Sequence, residues 1–227
     1  MKNIGVILAG GIGNRFKKKL PKQFLKLKDK AIICYSIEAF EKNNSINEIL
    51  LVIPREFIDY AKKLISKYTY TKVKDIICGG DTRPQSSYRA ISHIAQNNPN
   101  CKLLIHDAAR PFVTVKLIND IIKNLNIFDA VCPYVPATDT IYMLNQNNNI
   151  EDIPDRKSLG YVQTPQGFKL QIIKTAFDKG LQNLDFQPTD DCSIVKKYLP
   201  RASIKMIPGD INNIKITYSK DIQNFNA

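Results

Sequence analysis

Between residues 7 and 24 the chain reads ILAGGIGNRFKKKLPKQF, which places Ala9, Gly10, Gly11 and Gly13 after an apolar run and then supplies Arg15 and Lys22. Glycines let a backbone approach an anion closely and expose its N–H groups, because no Cβ stands in the way. Fixed cations just downstream stand where a polyphosphate needs neutralising. The chemistry this pattern suits is nucleotide binding. The lysine-serine ending of a P-loop is absent, and Phe16 stands where a dinucleotide fingerprint would need its third glycine. The competing explanation is a glycine turn followed by a solvated lysine face. The strand before the loop and the tight PKQF after it favour the site, whereas Lys17, Lys18 and Lys19 read as facing solvent.

Two further clusters have the same character. Gly79-Gly80-Asp81, with Ser86 and Ser87 nearby, offers donors and acceptors suited to a nucleobase edge or a ribose, although a helix N-cap after a glycine turn would account for it equally. Asp107 opens the run DAARP after a buried apolar stretch, so its carboxylate is held rigidly. It suits a divalent cation, a substrate hydroxyl, or simple pairing with Arg110. His106 reads as structural, since its neighbours suit charge stabilisation rather than proton transfer. Arg156 either pairs locally with Asp155 or presents a fork to a phosphate. Lys215, within the otherwise apolar NNIKIT, is an edge-strand gatekeeper or a phosphate ligand. No catalytic triad, metal cluster or carboxylate pair stands out. A site of fixed cations and backbone N–H groups suits phosphoryl or nucleotidyl transfer, where positioning and charge stabilisation dominate.

The elements that must carry these groups alternate strand and helix, which predicts α/β architecture with a mostly parallel sheet flanked by helices. Strands are expected at 5–8, 48–54, 75–78, 103–106, 130–135 and 203–207, and helices at 32–42, 57–67, 86–96, 115–124, 171–178 and 190–198. In open α/β sheets a ligand binds beyond the carboxyl ends of the strands, and all three clusters fall there. The rhythm breaks at about 138–162, where residues alternate around an asparagine-rich turn. This stretch, with Thr140 and Arg156, reads as an extended β-arm that packs on a second subunit. A single domain spanning 1–227 with that inserted arm is expected.

Composition narrows the class. At 44% hydrophobic and 24% charged, the chain is an ordinary globular one with no run long enough for a membrane span. No signal peptide opens it, so a cytoplasmic location is expected. The five cysteines are scattered without a CxxC pair, which argues for reduced thiols. The net charge of +12 is spread along the chain rather than gathered into a stripe, which argues against nucleic-acid binding.

The ordered set LAGGIGNRF, PKQF, GGDTR, HDAARPF, DTI, PDR, QTPQGF, TDDCS and GDINNIKIT, from residue 7 to residue 217, resembles the 2-C-methyl-D-erythritol 4-phosphate cytidylyltransferases. The resemblance implies a glycosyltransferase-A-like nucleotidyltransferase fold, a homodimer joined through the arm, and use of CTP with Mg2+. The implied reaction yields 4-diphosphocytidyl-2-C-methyl-D-erythritol and pyrophosphate by in-line displacement, in the non-mevalonate isoprenoid pathway. Carried over by motif, Arg15, Lys22 and Lys215 are catalytic. Ala9, Gly10, Gly11, Gly13, Gly80, Asp81 and Ser86 bind the nucleotide. Asp107, Arg110, Thr140 and Arg156 hold the polyol phosphate, Arg156 from the other subunit, with Asp107 as the candidate metal ligand. LAGG and DIPDR are also similar to the sibling D-ribitol 5-phosphate cytidylyltransferases, whereas HDAARP and TDDCS resemble the methylerythritol type.

Overall fold

β1 (Lys2–Leu8) is buried from Ile4 onward on both faces, as a central strand of a parallel sheet must be. In the computed structural model, which describes residues 1–11, 20–183, 185–218 and 220–222, it leads to a short hairpin of β2 (Lys26–Leu27) and β3 (Lys30–Ala31). Gly13 and Arg15 lie outside the described residues. Next come α1 (Ile32–Glu41), β4 (Glu48–Ile53), α2 (Ile58–Tyr68), β5 (Val73–Cys78) and α3 (Arg83–Asn97). The second half begins with β6 (Cys101–Asp107), α4 (Val115–Asn124) and β7 (Ala130–Pro136). The arm hairpin β8 (Met143–Leu144) and β9 (Ile150–Asp152) follows, then β10 (Gly160–Val162) and β11 (Gln166–Lys169). α5 (Leu170–Gly180), α6 (Asp191–Tyr198) and β12 (Ile204–Pro208) close the order.

The main sheet has the order β10-β7-β11-β6-β1-β4-β5, with β12 beside β7. β1 pairs in parallel with both β4 and β6, and β5 extends the parallel half. Succession runs outward from β1 to β5, then crosses to β6 on the other side of β1. That reversal creates a crevice at the carboxyl ends of β1 and β6, where open α/β sheets bind ligands. Side chains alternate between the two faces with the strand's period of two. Ile7, Leu51 and Leu104 pack with Ile37, Phe40 and Ile118 on one face. Val6, Val52 and Leu103 pack with Ile91, Phe177 and Val195 on the other.

Several boundaries differ from expectation for identifiable reasons. α3 begins at Arg83 rather than Ser86, because Pro84 is accommodated in the first helical turn and Thr82 with Gln85 forms a capping box. β11 lies antiparallel between β6 and β7, and its four residues, QGFK, are too few to show alternation. Residues 213–217 form no strand; the Ile216 N–H donates to the Ala109 carbonyl at 2.8 Å and ties the segment across the crevice. The edge-strand explanation for Lys215 therefore fails.

The arm has its own local logic. Asn145 Oδ1 accepts from the N–H groups of Asn147 and Asn149 at 3.0 and 3.1 Å, and Asn148 takes the left-handed conformation at φ 60°. Asparagine tolerates both roles, which is why this turn is asparagine-rich.

Candidate active site

β1 ends at Leu8 and delivers Ala9, Gly10 and Gly11 to the rim of a cavity of about 480 Å³. The same cavity receives Lys22 and Gln23 from the PKQF turn, and Gly80, Asp81 and Ser86 from the start of α3. Asp107 enters from the end of β6, and Lys215 from the C-terminal crossing segment. Nine of the residues expected from sequence thus meet in one place. Gly10 has no room for a side chain, since a Cβ would stand 2.9 Å from Ser86 Oγ, whereas a Cβ on Gly11 would meet nothing within 4 Å. Among the described residues, neither glycine N–H has a hydrogen-bond partner.

The charged groups form a chain. Asp107 accepts from Arg83 Nε at 3.1 Å on one oxygen and from Lys215 Nζ at 2.6 Å on the other. Arg83 Nη2 reaches Asp191 at 2.8 Å, where the helix α6 begins. Burial alone would raise the Asp107 carboxyl, but Arg83 and Lys215 overcome it and hold the group far below the usual carboxylate range. Burial likewise pulls the Arg83 guanidinium down, and the carboxylates of Asp191 and Asp107 more than offset it, leaving it above its ordinary value. Lys22 Nζ donates to the Ile216 carbonyl at 2.8 Å, beside Lys215. Two lysines nearly two hundred positions apart therefore face one cavity, with Asp107 anchoring one of them.

His106 lies wholly inside. Its Nε2 is 3.1 Å from the Arg110 carbonyl and its Nδ1 is 3.0 Å from Thr164 Oγ1. A carbonyl only accepts, so Nε2 carries the proton and Nδ1 accepts from the Thr164 hydroxyl. That hydroxyl in turn accepts from the Asp107 N–H at 3.1 Å. Burial pushes the imidazole down to about 4. With both nitrogens committed to holding the turn that carries Asp107, His106 is structural.

Arg110 does not pair with Asp107. Its Nη1 and Nη2 donate to the carbonyls of Asn213 and Val162 at 2.8 and 3.2 Å, bracing the root of the arm. It lines a second cavity of about 690 Å³ that shares Arg83, Asp107 and Lys215 with the first. Thr140 and Arg156 line neither cavity. Arg156 donates to the Thr138 carbonyl of its own arm at 2.9 Å, and Asp155 accepts from the Lys157 N–H instead of pairing with Arg156. Sequence reasoning overlooked Gln23, Arg83 and Asp191, although all three stand inside motifs it quoted, PKQF, GGDTR and TDDCS. Among the described residues no group of three or more His, Cys, Asp or Glu side chains could hold a metal, and no helix is long and apolar enough to cross a membrane.

A crevice at the carboxyl ends of parallel strands with a glycine rim and anchored cations fits a nucleotidyltransferase. The sequence profile of the 2-C-methyl-D-erythritol 4-phosphate cytidylyltransferases matches residues 4–227, and the chain belongs to that family. It is 41% identical over 222 residues to the Clostridium perfringens enzyme of that name, covering 97% of this chain and 96% of the relative. A bifunctional ribulose 5-phosphate reductase/CDP-ribitol pyrophosphorylase of Haemophilus influenzae is 38% identical over 97% of this chain, which spans 47% of that longer protein. The 4-diphosphocytidyl-2C-methyl-D-erythritol synthase of Anaerococcus prevotii superposes with a TM-score of 0.87 at 25% identity, covering 99% of this chain and 94% of that one. The Francisella tularensis cytidylyltransferase superposes at 0.81 and 26% identity, covering 100% and 99%.

Proposed function

We propose that residues 1–227 act as one cytoplasmic cytidylyltransferase domain that transfers CMP from CTP to 2-C-methyl-D-erythritol 4-phosphate. A phosphate oxygen of the acceptor attacks the α-phosphorus of CTP, the bond to the β-phosphate oxygen breaks, and pyrophosphate leaves. The observation that carries this reading is the convergence of the glycine rim, the α3 turn, Lys22, Asp107 and Lys215 on one cavity. Ala9, Gly10, Gly11, Gly13, Gly80, Asp81 and Ser86 are assigned to the nucleotide. Lys22, Arg15 and Lys215 are assigned to the charge that builds on the α-phosphate. Both oxygens of Asp107 are occupied by cations, so it fits the role of anchor for Arg83 and Lys215 better than that of metal ligand. Mg2+ is accordingly assigned to the triphosphate, consistent with its habit of using substrate phosphates rather than protein cages. When bound, it would offset charge on the departing pyrophosphate.

Asp107, Arg110 and Lys215 are assigned to the acceptor, together with Thr140 and Arg156 from the arm of a second copy. The support for a homodimer is the arm's surface: Leu144, Ile150 and Ile153 are 55, 60 and 53% exposed on or beside one short hairpin, and clustered exposed apolar side chains mark interaction sites. One observation favours D-ribitol 5-phosphate as the acceptor, namely the 38% identity to the CDP-ribitol pyrophosphorylase. Pyrophosphate release from CTP and Mg2+, measured in parallel with the two polyol phosphates, tests the reading. Release triggered by the methylerythritol compound is expected; release by ribitol phosphate alone would transfer the assignment, and release by neither would end it.

A further inference from the structure

Gln23 is a polar side chain with no place in the reaction as assigned, yet it is only 3% exposed. It sits in the short 3-10 turn Lys22–Phe24, immediately after Lys22. Its amide nitrogen lies 2.5 Å from the Ala9 carbonyl and 3.1 Å from the Gly11 carbonyl. Both partners only accept, so that end of the amide must be the NH₂ group, and its two hydrogens serve two carbonyls of the glycine rim. A trans peptide points its C=O and its following N–H in opposite directions. Holding the Ala9 carbonyl on Gln23 therefore turns the Gly10 N–H away from Gln23, leaving it without a protein partner.

We infer that Gln23 is a positioning residue: a two-hydrogen clasp that fixes the glycine rim and Lys22 in register with each other, so that the anion cradle and its cation form one rigid unit. Two independent observations agree with this. The turn that carries Gln23 is itself closed by Phe24 N–H to Pro21 carbonyl and Leu25 N–H to Lys22 carbonyl, each at 3.0 Å. And Ala9 N–H donates to Val52 at 2.9 Å, so the rim is anchored on the sheet side as well as on the Gln23 side. Lys22 is thereby tied to the end of β1 through the Gln23 side chain, although residues 9–21 separate Leu8 from Lys22 in the sequence.

The kinetic part of the inference rests on the cytidylyltransferase reading; the exchange part does not. In Gln23→Met, which keeps the volume and removes both donors, kcat is expected to fall by about 10²-fold, the scale of an ångström-level misplacement. The KM for CTP is expected to move less than about threefold, because Lys22 acts on the transition state more than on the ground state. In Gln23→Glu the introduced carboxylate faces two carbonyl oxygens and repels them. Taking up a proton gives it one O–H donor, so its activity relative to the parent enzyme should rise several-fold from pH 8.5 to pH 6. A merely space-filling role would leave that ratio flat. Amide exchange reads the clasp whatever reaction the enzyme runs: in Gln23→Met, peptides covering 4–11 and 20–25 should exchange about tenfold faster, with the rest of the sheet unchanged. Unchanged exchange in those peptides, a flat Gln23→Glu ratio, or collapse of the whole fold in Gln23→Met would each overturn the inference.

Discussion

The strand-end cradle and the arm are built on opposite principles. In the cradle side chains are held by groups from distant parts of the chain: Lys215 and Arg83 by Asp107, Arg83 again by Asp191, and Lys22 by the Ile216 carbonyl. The side chains of Asp107 and Asp191 are 11 and 0% exposed, so the low dielectric around them makes each pairing rigid. In the arm the hydrogen bonds are local and the apolar side chains face outward. The first region is tied together within one chain; the second exposes apolar side chains, which fits the proposed contact with a second copy. On the proposed reading, rigidity and incompleteness coexist in one site, with a preorganised nucleotide half and an acceptor half completed by a second copy.

The comparison breaks most visibly at Lys22. Lys22→Ala should reduce turnover by about 10³-fold, the scale of losing one aimed donor at a developing charge, while the melting temperature stays put. A variant with near-normal turnover would remove Lys22 from the chemistry. Arg83→Ala acts on the cradle's rigidity instead: it leaves buried Asp191 without its cation and Asp107 with Lys215 alone, which costs about 3–5 kcal/mol in the urea midpoint analysis. A loss below about 1 kcal/mol would show that the chain of charges is solvent-relaxed.

Acid tests the same region more gently. His106 binds its proton at 6.5 when unfolded and at about 4 when folded, so the unfolded state takes up protons first as pH drops. Stability is full above pH 6.5 and falls as pH moves toward about 4, by roughly 3 kcal/mol at the end of that window. Asp107, depressed from 3.8, adds its own loss only below that range. Urea midpoints measured at pH 7 and pH 4.5 check this, and His106→Asn should flatten the slope; an identical slope would contradict the buried neutral imidazole.

Effects on the arm should be smaller and of another kind. Arg156→Ala is expected to raise the KM for the polyol phosphate by about tenfold with kcat at saturation little changed, and an unaltered KM would take Arg156 out of the acceptor site. Smallest is Gly11→Ala. Open space surrounds that position, so stability should be untouched and only CTP affinity should drop, by several-fold. Unchanged affinity measured by calorimetry would mean that the rim does not touch the nucleotide.

Much of the cradle was legible because its parts are short, glycine-marked and lie at predicted strand ends. LAGG, GGD and HDAAR name their own positions once an alternating α/β sheet is inferred. What escaped reading is the pairing among them. Arg83 precedes Pro84, which is accommodated in the first helical turn, and Asp191 lies in the first turn of α6 behind its N-cap Asp190, where nothing local marks it as an ion-pair partner. Pairing with Arg110 was one of three roles open to Asp107 from sequence, yet its partners in the structure come from 24 and 108 positions away. Long-range electrostatic pairing leaves no local pattern. β11 escaped for a related reason, since four residues carry too little periodicity. The arm, by contrast, announced itself through its asparagine turn and its weak core pattern.

The central claim is that one reactive centre combines the cradle of one chain with the arm of another. Co-expressing Lys22→Ala with Arg156→Ala chains tests it directly, because a mixed dimer pairs the intact cradle of one chain with the intact arm of the other. At acceptor concentrations below KM, random pairing makes about a quarter of the sites whole, so activity should recover to about a quarter of the parent enzyme. Recovery no greater than the average of the two separate variants would contradict a shared centre and return Arg156 to its own chain.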